Sequence, residues 1–439
     1  MLKFRSLKLL TFLSTLSSVM WVKYSTLLFI NVGFTRAQAG GLKTFGYLCK
    51  LFVSPLWSML ADWMGDPTWA LILTYIIGAA TLELSRNAFH SAAAGDLNFN
   101  RMICVRLLRS STNASVPLTD ALILHYLGKS KVKGESYGRQ RLFASVAWGV
   151  GALAGGVLVD YYNLWVIFPF TYVCYGSVLL LLLMMKLSER KMSKTTKSIE
   201  DENQASSSTT SSPLEVLQST KRMLTSNSEI FTFAFQIVFL GFVMVLVDTV
   251  LPLQIEAAAM SRSFNGFTTL VSIIATIPIF WHSERIYGTK GASWMFRVAY
   301  IALMMRLLLL STRFGSSKLY IVLVQAGHGV SFSMGWIAST EKMQAFAKSN
   351  KNSSAAGAAV ELTATAQALV TALYFTCGQG VGNIFWLKSF DLIDHPHSRS
   401  EHNTPPKALY LFGATLVALN LVFFLPRMEQ QKNKNTLPS

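Results

Sequence analysis

Stretches of about twenty mostly apolar residues alternate with short polar stretches along almost the whole chain. A run of that length with few charges predicts a helix that crosses a lipid bilayer. Such runs can be placed at about residues 7–31, 40–61, 68–88, 102–127, 142–160, 164–186, 230–255, 265–282, 291–311, 319–340, 358–386 and 407–426. They lack the two-residue alternation of barrel strands, and helices satisfy their own backbone groups in lipid. The pattern predicts an all-α polytopic membrane protein with about twelve transmembrane helices.

Composition and charge agree with this class. The chain has 439 residues, of which 51% are hydrophobic and 14% are charged, which is too apolar for a soluble multidomain protein. Its formal net charge of +17 could indicate a nucleic-acid partner, but the cations fall mostly between the apolar runs. We therefore expect the lipid bilayer as a partner and no nucleic acid.

Basic residues are concentrated in every second connection. They occur in the N-terminus (Lys3, Arg5, Lys8), in Lys129–Arg141, in Lys186–Arg222, in Lys342–Lys351 and in the C-terminal tail. Opposite connections such as Tyr161–Leu164 carry few positive charges, although Arg36 and Lys43 weaken the bias. Since cytoplasmic loops carry the excess of lysine and arginine, both termini are predicted to be cytoplasmic. No cleavage site follows a short apolar region at the N-terminus, so we expect the first span to be a retained helix.

A polar, serine-rich segment divides the spans six and six. Residues 188–213 are too poor in apolar groups to offset their ordering entropy and are predicted to be a disordered linker. The expected organisation is a six-helix bundle at 1–187, a cytoplasmic linker at 188–228, a second six-helix bundle at 229–427 and a cytoplasmic tail at 428–439. A weak repeat links the halves, because PLWSMLADWMG (Pro55–Gly65) and PIFWHSERIYG (Pro278–Gly288) share proline, a carboxylate and glycine. Two parallel repeats of six helices are typical of secondary transporters.

Several motifs resemble the major facilitator superfamily. SMLADWMG resembles its loop between helices two and three, although Ser58 and Trp63 depart from the usual residues and the trailing basic pair is missing. PLTDALILHYLG, YGRQRLFASVAWGVGALAGGVLVD, GHGVSFSMGW and ATAQALVTALYFTCGQGVGN occur in the same order as in the branch containing lactose permease, nucleoside:proton symporters and phenylpropionate permease-like proteins. The resemblance implies the major facilitator fold and does not specify a substrate.

The resemblance also implies a gate at the cytoplasmic face. Asp62 and Gly65 match the family loop, and the carboxylate of Asp62 could receive hydrogen bonds from a helix terminus and from the basic loop that includes Arg139 and Arg141. The alternative is a solvated loop aspartate. Four glycines of the fifth span, by contrast, predict close helix packing: Gly149, Gly151, Gly155 and Gly156.

Ionisable residues inside the spans are the strongest functional signal. They are Lys23, Lys50, Arg106, Arg109, Asp120, Asp248, Arg306 and His328. Each charged group would cost about 2.5–3.5 kcal/mol at a helix centre on insertion scales. They must therefore pair with one another or line a polar cavity between the two halves, where transporters of this layout bind substrate. The excess of positive charge favours an anionic solute.

A purely structural role remains open for several of these residues. Arg306 could extend its head to the membrane surface, and Lys43 and Glu83 are expected to reach an interface. Asp120, after Pro117, could be a structural partner of a neighbouring helix. His328 lies between two glycines, Gly327 and Gly329, that let other groups approach the ring. It is either a proton relay or a neutral histidine held by a hydrogen bond.

The predicted function is secondary active transport of a small polar or anionic organic solute by alternating access, as proton-coupled symport. The partners are the solute and protons, and the protein is expected to act as a monomer. The alternative is a receptor-like or scaffold protein that keeps the fold without transport. Four isolated cysteines indicate neither a metal site nor a disulfide framework. No phosphate loop or nucleophile elbow occurs, so we expect no cofactor and no enzymatic activity.

Overall fold

The computed structural model describes residues 2–64, 67–112, 114–129, 137–196, 229–312, 317–352, 366, 369–393 and 407–426. These residues are almost entirely helical, and no strand occurs among them. Within the same residues, nine helices are long and apolar enough to cross a membrane. The all-α prediction is therefore confirmed.

The first half contains seven helices. They are α1 (Leu2–Asn31), α2 (Arg36–Trp63), α3 (Pro67–Ala93), α4 (Phe99–Ser111), α5 (Ser115–Lys129), α6 (Tyr137–Tyr162) and, after a 3₁₀ turn at Leu164–Val166, α7 (Ile167–Thr196). The helix α7 continues beyond residue 188, where the linker was predicted to begin. The remainder of that linker, residues 197–228, lies outside the described residues, as does the tail at 428–439.

Among its described residues, the second half contains further helices and three π-helical segments. They are α8 (Glu229–Val245), a π turn at Leu246–Val250, α9 (Leu251–Ala257), α10 (Arg262–Trp281), α11 (Ser283–Leu310), α12 (Lys318–Asn352), a π segment at Ala372–Gly380, α13 (Val381–Ile393), α14 (Lys407–Leu419) and a π turn at Asn420–Phe424. The chain runs without interruption from α8 through its π turn into α9. Gly291 breaks α11 with a φ of 76°.

The predicted span at 102–127 is wrong as a single helix. The chain forms α4 and α5 instead, and the break falls at Thr112 and Ala114. The hydroxyl of Thr112 donates to the carbonyl of Arg109 at 3.1 Å, which closes α4. Pro117 then sits in the first turn of α5, where its missing N–H leaves no hydrogen bond unmade.

Both halves contribute to a shared apolar core in the part of the chain that the structure describes. We call the end with the connections after Asn31, Tyr162 and Ala257 the loop face, and the end where α1 and α6 begin the terminal face. Toward the loop face, one continuous apolar core includes residues of both halves. Toward the terminal face, the first half has a separate core that includes Leu7, Leu71, Leu118 and Leu182. In the described residues, the first half therefore packs against the second half at the loop face.

Candidate functional site

A linked set of polar side chains crosses the second half at mid-helix. Arg306 of α11 is 2% exposed and donates to Gln325 Oε1 at 2.6 Å, to Ser331 Oγ at 3.2 Å and to the carbonyl of Val324 at 3.1 Å. Its Nη1 also lies 3.1 Å from His328 Nδ1. The expectation that Arg306 extends to the membrane surface is wrong, because its guanidinium is enclosed by α12.

His328 connects this arginine to a carboxylate. A guanidinium nitrogen only donates, so Nδ1 of His328 is the acceptor and the ring proton sits on Nε2. Nε2 lies 3.8 Å from Asp248 Oδ1, and Gln379 Nε2 donates to the other oxygen of Asp248 at 2.9 Å. The ring is therefore a neutral bridge between a fixed cation and a carboxylate that is 34% exposed.

Local irregularities of the helices position these groups. Asp248 lies in the π turn after α8, and Gln379 lies in the π segment before α13. Gly241 and Gly378 let α8 and the π segment approach backbone to backbone. Gly327 leaves room for the Arg306 side chain, and Gly329 faces the backbone of α10 at Ser272. Neighbouring groups therefore do approach His328 beside its two glycines, as predicted.

Lys43 joins the two halves. It is 6% exposed and donates from Nζ to Thr249 Oγ1 at 3.2 Å, while Thr249 donates to Asn383 Oδ1 at 3.1 Å. The next residue of α2, Thr44, donates to the carbonyl of Gly380 at 2.6 Å. The expectation that Lys43 reaches the interface between membrane and water is wrong, because its side chain is buried where α2 of the first half meets α13 of the second half.

A second group of cations lies in the first half. Arg106 donates from Nε to the carbonyl of Leu42 at 3.3 Å, and its guanidinium lies 5.5 Å from the Trp21 ring. Arg109 is 6% exposed, donates to the carbonyl of Gly78 and to Tyr175 Oη, and lies 5.3 Å from the same Trp21 ring. These contacts fix both arginines without neutralising them.

Positive charge exceeds negative charge in this space. Asp248 interacts electrostatically with Lys23, Lys43 and Arg306, whereas the strongest charge interactions of Lys50 are with Arg106 and Arg109. In the part of the chain that the structure describes, no carboxylate oxygen lies within 4.0 Å of any of these six cations. Low-dielectric walls strengthen the resulting field.

Aromatic side chains adjoin these cations. His328, Phe332 and Trp336 follow one another on one face of α12, with centroid distances of 6.0 and 5.8 Å. Trp336 contacts Phe375 at 5.9 Å, and Phe375 stacks on Tyr47 of α2 at 6.4 Å. We call Phe332, Trp336, Phe375 and Tyr47 the aromatic wall. The four rings are partly exposed, so they line the space between the halves.

The loop face is closed by backbone contacts and carboxylates. Gly156 and Gly266 let α6 and α10 touch at the backbone, which confirms close packing for that glycine of the fifth span. Asp160 of α6 accepts from the backbone amides of Arg262 and Ser263. Across the bundle, Asp391 of α13 accepts from the amide of Ala37 at 2.8 Å and lies 3.8 Å from Arg36.

The structure leaves some predicted positions apart from the cavity. Asp120 lies on α5 and is half-buried. It is not among the residues with which Lys23, Lys50 and Arg106 have their strongest charge interactions. Asp62 lies in the last turn of α2, and Arg139 and Arg141 lie in the first turns of α6. The side chains of these three residues and the whole of Gly65 lie outside the described part of the chain, so the gating role stays a prediction.

Sequence reasoning missed the uncharged partners. Gln325, Thr249, Gln379 and Asn383 carry no charge, so nothing in their residue types separates them from helix-packing amides and hydroxyls. Lys43 had a signal, because Lys43, Tyr47 and Lys50 follow a four- and three-residue spacing and share one face of α2.

The arrangement defines an integral, multi-pass membrane transporter of the major facilitator type. The chain belongs to the MFS_1 like family, which it matches over residues 5–386. The protein is therefore a transporter and not an enzyme.

Solved structures show the same fold at low sequence identity. The crystal structure of the nucleoside transporter NupG is similar with a TM-score of 0.68 and 16% identity, over 98% of this chain and 100% of that chain. The D-xylose-proton symporter is similar with a TM-score of 0.63 and 12% identity, over 97% of this chain and 98% of that chain.

A curated relative matches over a shorter stretch. The maltose permease of Geobacillus stearothermophilus is 30% identical over 132 residues, which is 30% of this chain and 31% of the permease. The chain thus spans about a third of that relative's length.

Proposed function

We propose that the protein is a secondary transporter that moves a small polar or anionic organic solute together with protons by alternating access. The carrying observation is the position of Asp248. Its carboxylate is partly exposed to the space between the halves and contacts groups on two other elements, His328 of α12 and Gln379 of the π segment. A proton taken up from the cavity would change the charge that balances Lys23 and Arg306.

Asp248 carries the proton in this proposal, and His328 positions it. A second proton on the His328 ring would remove the acceptor that Arg306 uses and would place two cations side by side. Asp248 has no such restriction, because its protonated form can still accept from Gln379. The D-xylose-proton symporter and the nucleoside transporter share the fold, which is compatible with solute transport driven by protons.

The receptor-like alternative has less support. A scaffold has no use for six buried or half-buried cations that, among the described residues, lack a carboxylate oxygen within 4.0 Å, and each charge inside the spans carries an insertion cost. A solute-binding role gives these charges a physical reason.

Purified protein in vesicles loaded with a pH-sensitive dye tests the proposal. A panel would contain a nucleoside, a sugar and an aromatic sulfonate, each added outside. Coupled transport predicts that at least one solute acidifies the vesicle interior, that empty vesicles do not respond, and that Asp248→Asn abolishes the acidification. Solute uptake that moves no protons would overturn proton coupling.

A further inference from the structure

Two surfaces of different chemistry meet at Tyr47. The Nζ of Lys50 lies 6.0 Å from the Tyr47 ring centroid, one turn along α2. Tyr47 also stacks on Phe375, and the hydroxyl of Tyr47 lies 3.4 Å from Gln379 Oε1. Tyr47 therefore joins the cations of the first half to the aromatic wall.

The cationic surface has unused hydrogen-bond donors. A guanidinium has five donors, and Arg106 makes one described bond, to the carbonyl of Leu42. Within the described residues, Lys50 makes no hydrogen bond, and both side chains are partly exposed. Arg109 differs, because it is buried and bound to Gly78 and Tyr175. Lys50 and Arg106 can thus receive an anion, while Arg109 adds charge from behind.

The aromatic wall contains near-parallel rings that are held from behind. The ring planes of Phe332 and Trp336 lie 22° from parallel, and those of His328 and Phe332 lie 3° from parallel. Tyr374 is buried and packs edge-on against both Phe332 and Trp336. Partly exposed rings of this kind favour an apolar or aromatic body on the solute.

From this juxtaposition we infer that the solute is an organic anion with an apolar body. Its acidic group is held by Lys50 and Arg106, and its body lies on Phe332, Trp336 and Phe375. This assignment rests on the proposed function and narrows its substrate class. A neutral sugar would leave the two cations without a counter-charge, and a small inorganic anion would leave the aromatic wall uncovered.

Three probes of fixed charge separate the two contributions. Benzenesulfonate carries both features, benzenesulfonamide lacks the charge, and methanesulfonate lacks the ring. Binding to the purified full-length protein is measured by calorimetry. We expect benzenesulfonate to bind about ten-fold or more tightly than either of the others, which corresponds to about 1.4 kcal/mol or more for each feature.

Two variants assign each contribution to its surface. Arg106→Gln should bring the affinities for benzenesulfonate and benzenesulfonamide together, while Trp336→Leu should bring those for benzenesulfonate and methanesulfonate together. The matched controls are Arg101→Gln, on the same helix and paired with Asp96, and Trp294→Leu, beside Lys290 on α11. Neither control should change either ratio. The affinity ratio that a variant does not target also tests whether that variant is folded. A folded Arg106→Gln should keep the ratio between the two sulfonates, and a folded Trp336→Leu should keep the ratio between benzenesulfonate and benzenesulfonamide.

Several outcomes would overturn the assignment. These are equal binding of the sulfonate and the sulfonamide, equal binding of the two sulfonates, an unchanged charge ratio in Arg106→Gln, and no binding of any probe at millimolar concentration. The proton-flux assay separates this failure from that of the proposed function. Proton influx driven by a neutral nucleoside would support the proposed transport function and contradict the assignment of an anionic solute. Selective sulfonate binding without proton flux from any solute would support the anionic solute and contradict proton-coupled transport.

Discussion

Asp160, near the end of α6, accepts hydrogen bonds from the backbone amide of Arg262 at 2.8 Å, where α10 begins in the other half of the protein. The same carboxylate accepts from the amide and the hydroxyl of Ser263. Asp391, in the last turns of α13, bears the same relation to α2 through the amide of Ala37. Each half thus supplies a carboxylate that satisfies the free amides at a helix N-terminus of the other half, which favours closure of the loop face.

Removing the charge of Asp160 should open the loop face. Asp160→Asn loses an anion at a helix N-terminus, an interaction of about 0.5–2 kcal/mol, so we expect the population open at that face to rise about two- to thirty-fold. Spin labels at Tyr161 and Ala258, exposed residues on either side of the seam, would report longer distances. The comparison uses a protein from which Cys49, Cys104, Cys174 and Cys377 have been removed. An unchanged distance distribution would contradict this account of closure.

The asparagine variant of Asp248 should uncouple solute from protons. The amide of Asp248→Asn still accepts from Gln379 but carries no titratable proton. We expect exchange of solute across the membrane to stay within a few fold of wild type, since its contacts remain, while accumulation against a gradient is lost. Asp96→Asn, on an exposed loop pair with Arg101, is the matched control and should accumulate solute normally. Gradient-driven accumulation by Asp248→Asn would refute its role as the proton carrier.

Glutamine should replace His328 with little loss. A glutamine oxygen can accept from Arg306 and its amide can donate toward Asp248, which are the roles that the neutral ring fills. We expect His328→Gln to accumulate solute to within about two-fold of wild type, and His328→Leu to lose more because Arg306 loses an acceptor. Uptake in vesicles with an imposed pH gradient measures both. A glutamine variant that exchanges but does not accumulate would show that the ring itself relays the proton.

Asp62 should affect the rate of transport more than the binding of solute. The residue ends α2, far along the helix from Lys43 and Lys50, where the repeat and the family loop coincide. We expect Asp62→Asn to slow uptake while the equilibrium affinity stays within a few fold, since the position lies far along α2 from Lys43 and Lys50. A large loss of equilibrium binding would be incompatible with a gating role.

The basic connections predict that the segment at 188–228 is cytoplasmic. An epitope inserted near Ser207 should remain hidden from antibody in intact cells that display the protein at their surface, and should be labelled after permeabilisation. A second epitope between Ala257 and Arg262, in a connection on the loop face, should show the opposite pattern. Labelling of the Ser207 epitope in intact cells would reverse the orientation.

The sequence by itself determined the class of fold. Runs of apolar residues near twenty in length permit only helices in lipid, and the motifs from Pro117 to Asp160 and from Gly327 to Asn383 place the chain in its superfamily. It also identified the residues whose charges are costly to place in the membrane, because a lysine, arginine or aspartate inside such a run is visible without any structure. Lys23, Asp248 and Arg306 were found in this way.

The tertiary structure decided which of these charges meet. The rotation of each helix about its axis sets the direction of a side chain, and 100° per residue turns a cavity residue toward lipid within one position. Only packing therefore shows that Arg306 is enclosed by α12, that Lys43 crosses to Thr249, and that His328 lies between a cation and a carboxylate. The π turn that carries Asp248 also depends on neighbouring helices. The break at Thr112, by contrast, has local causes in the hydroxyl of Thr112 and in Pro117.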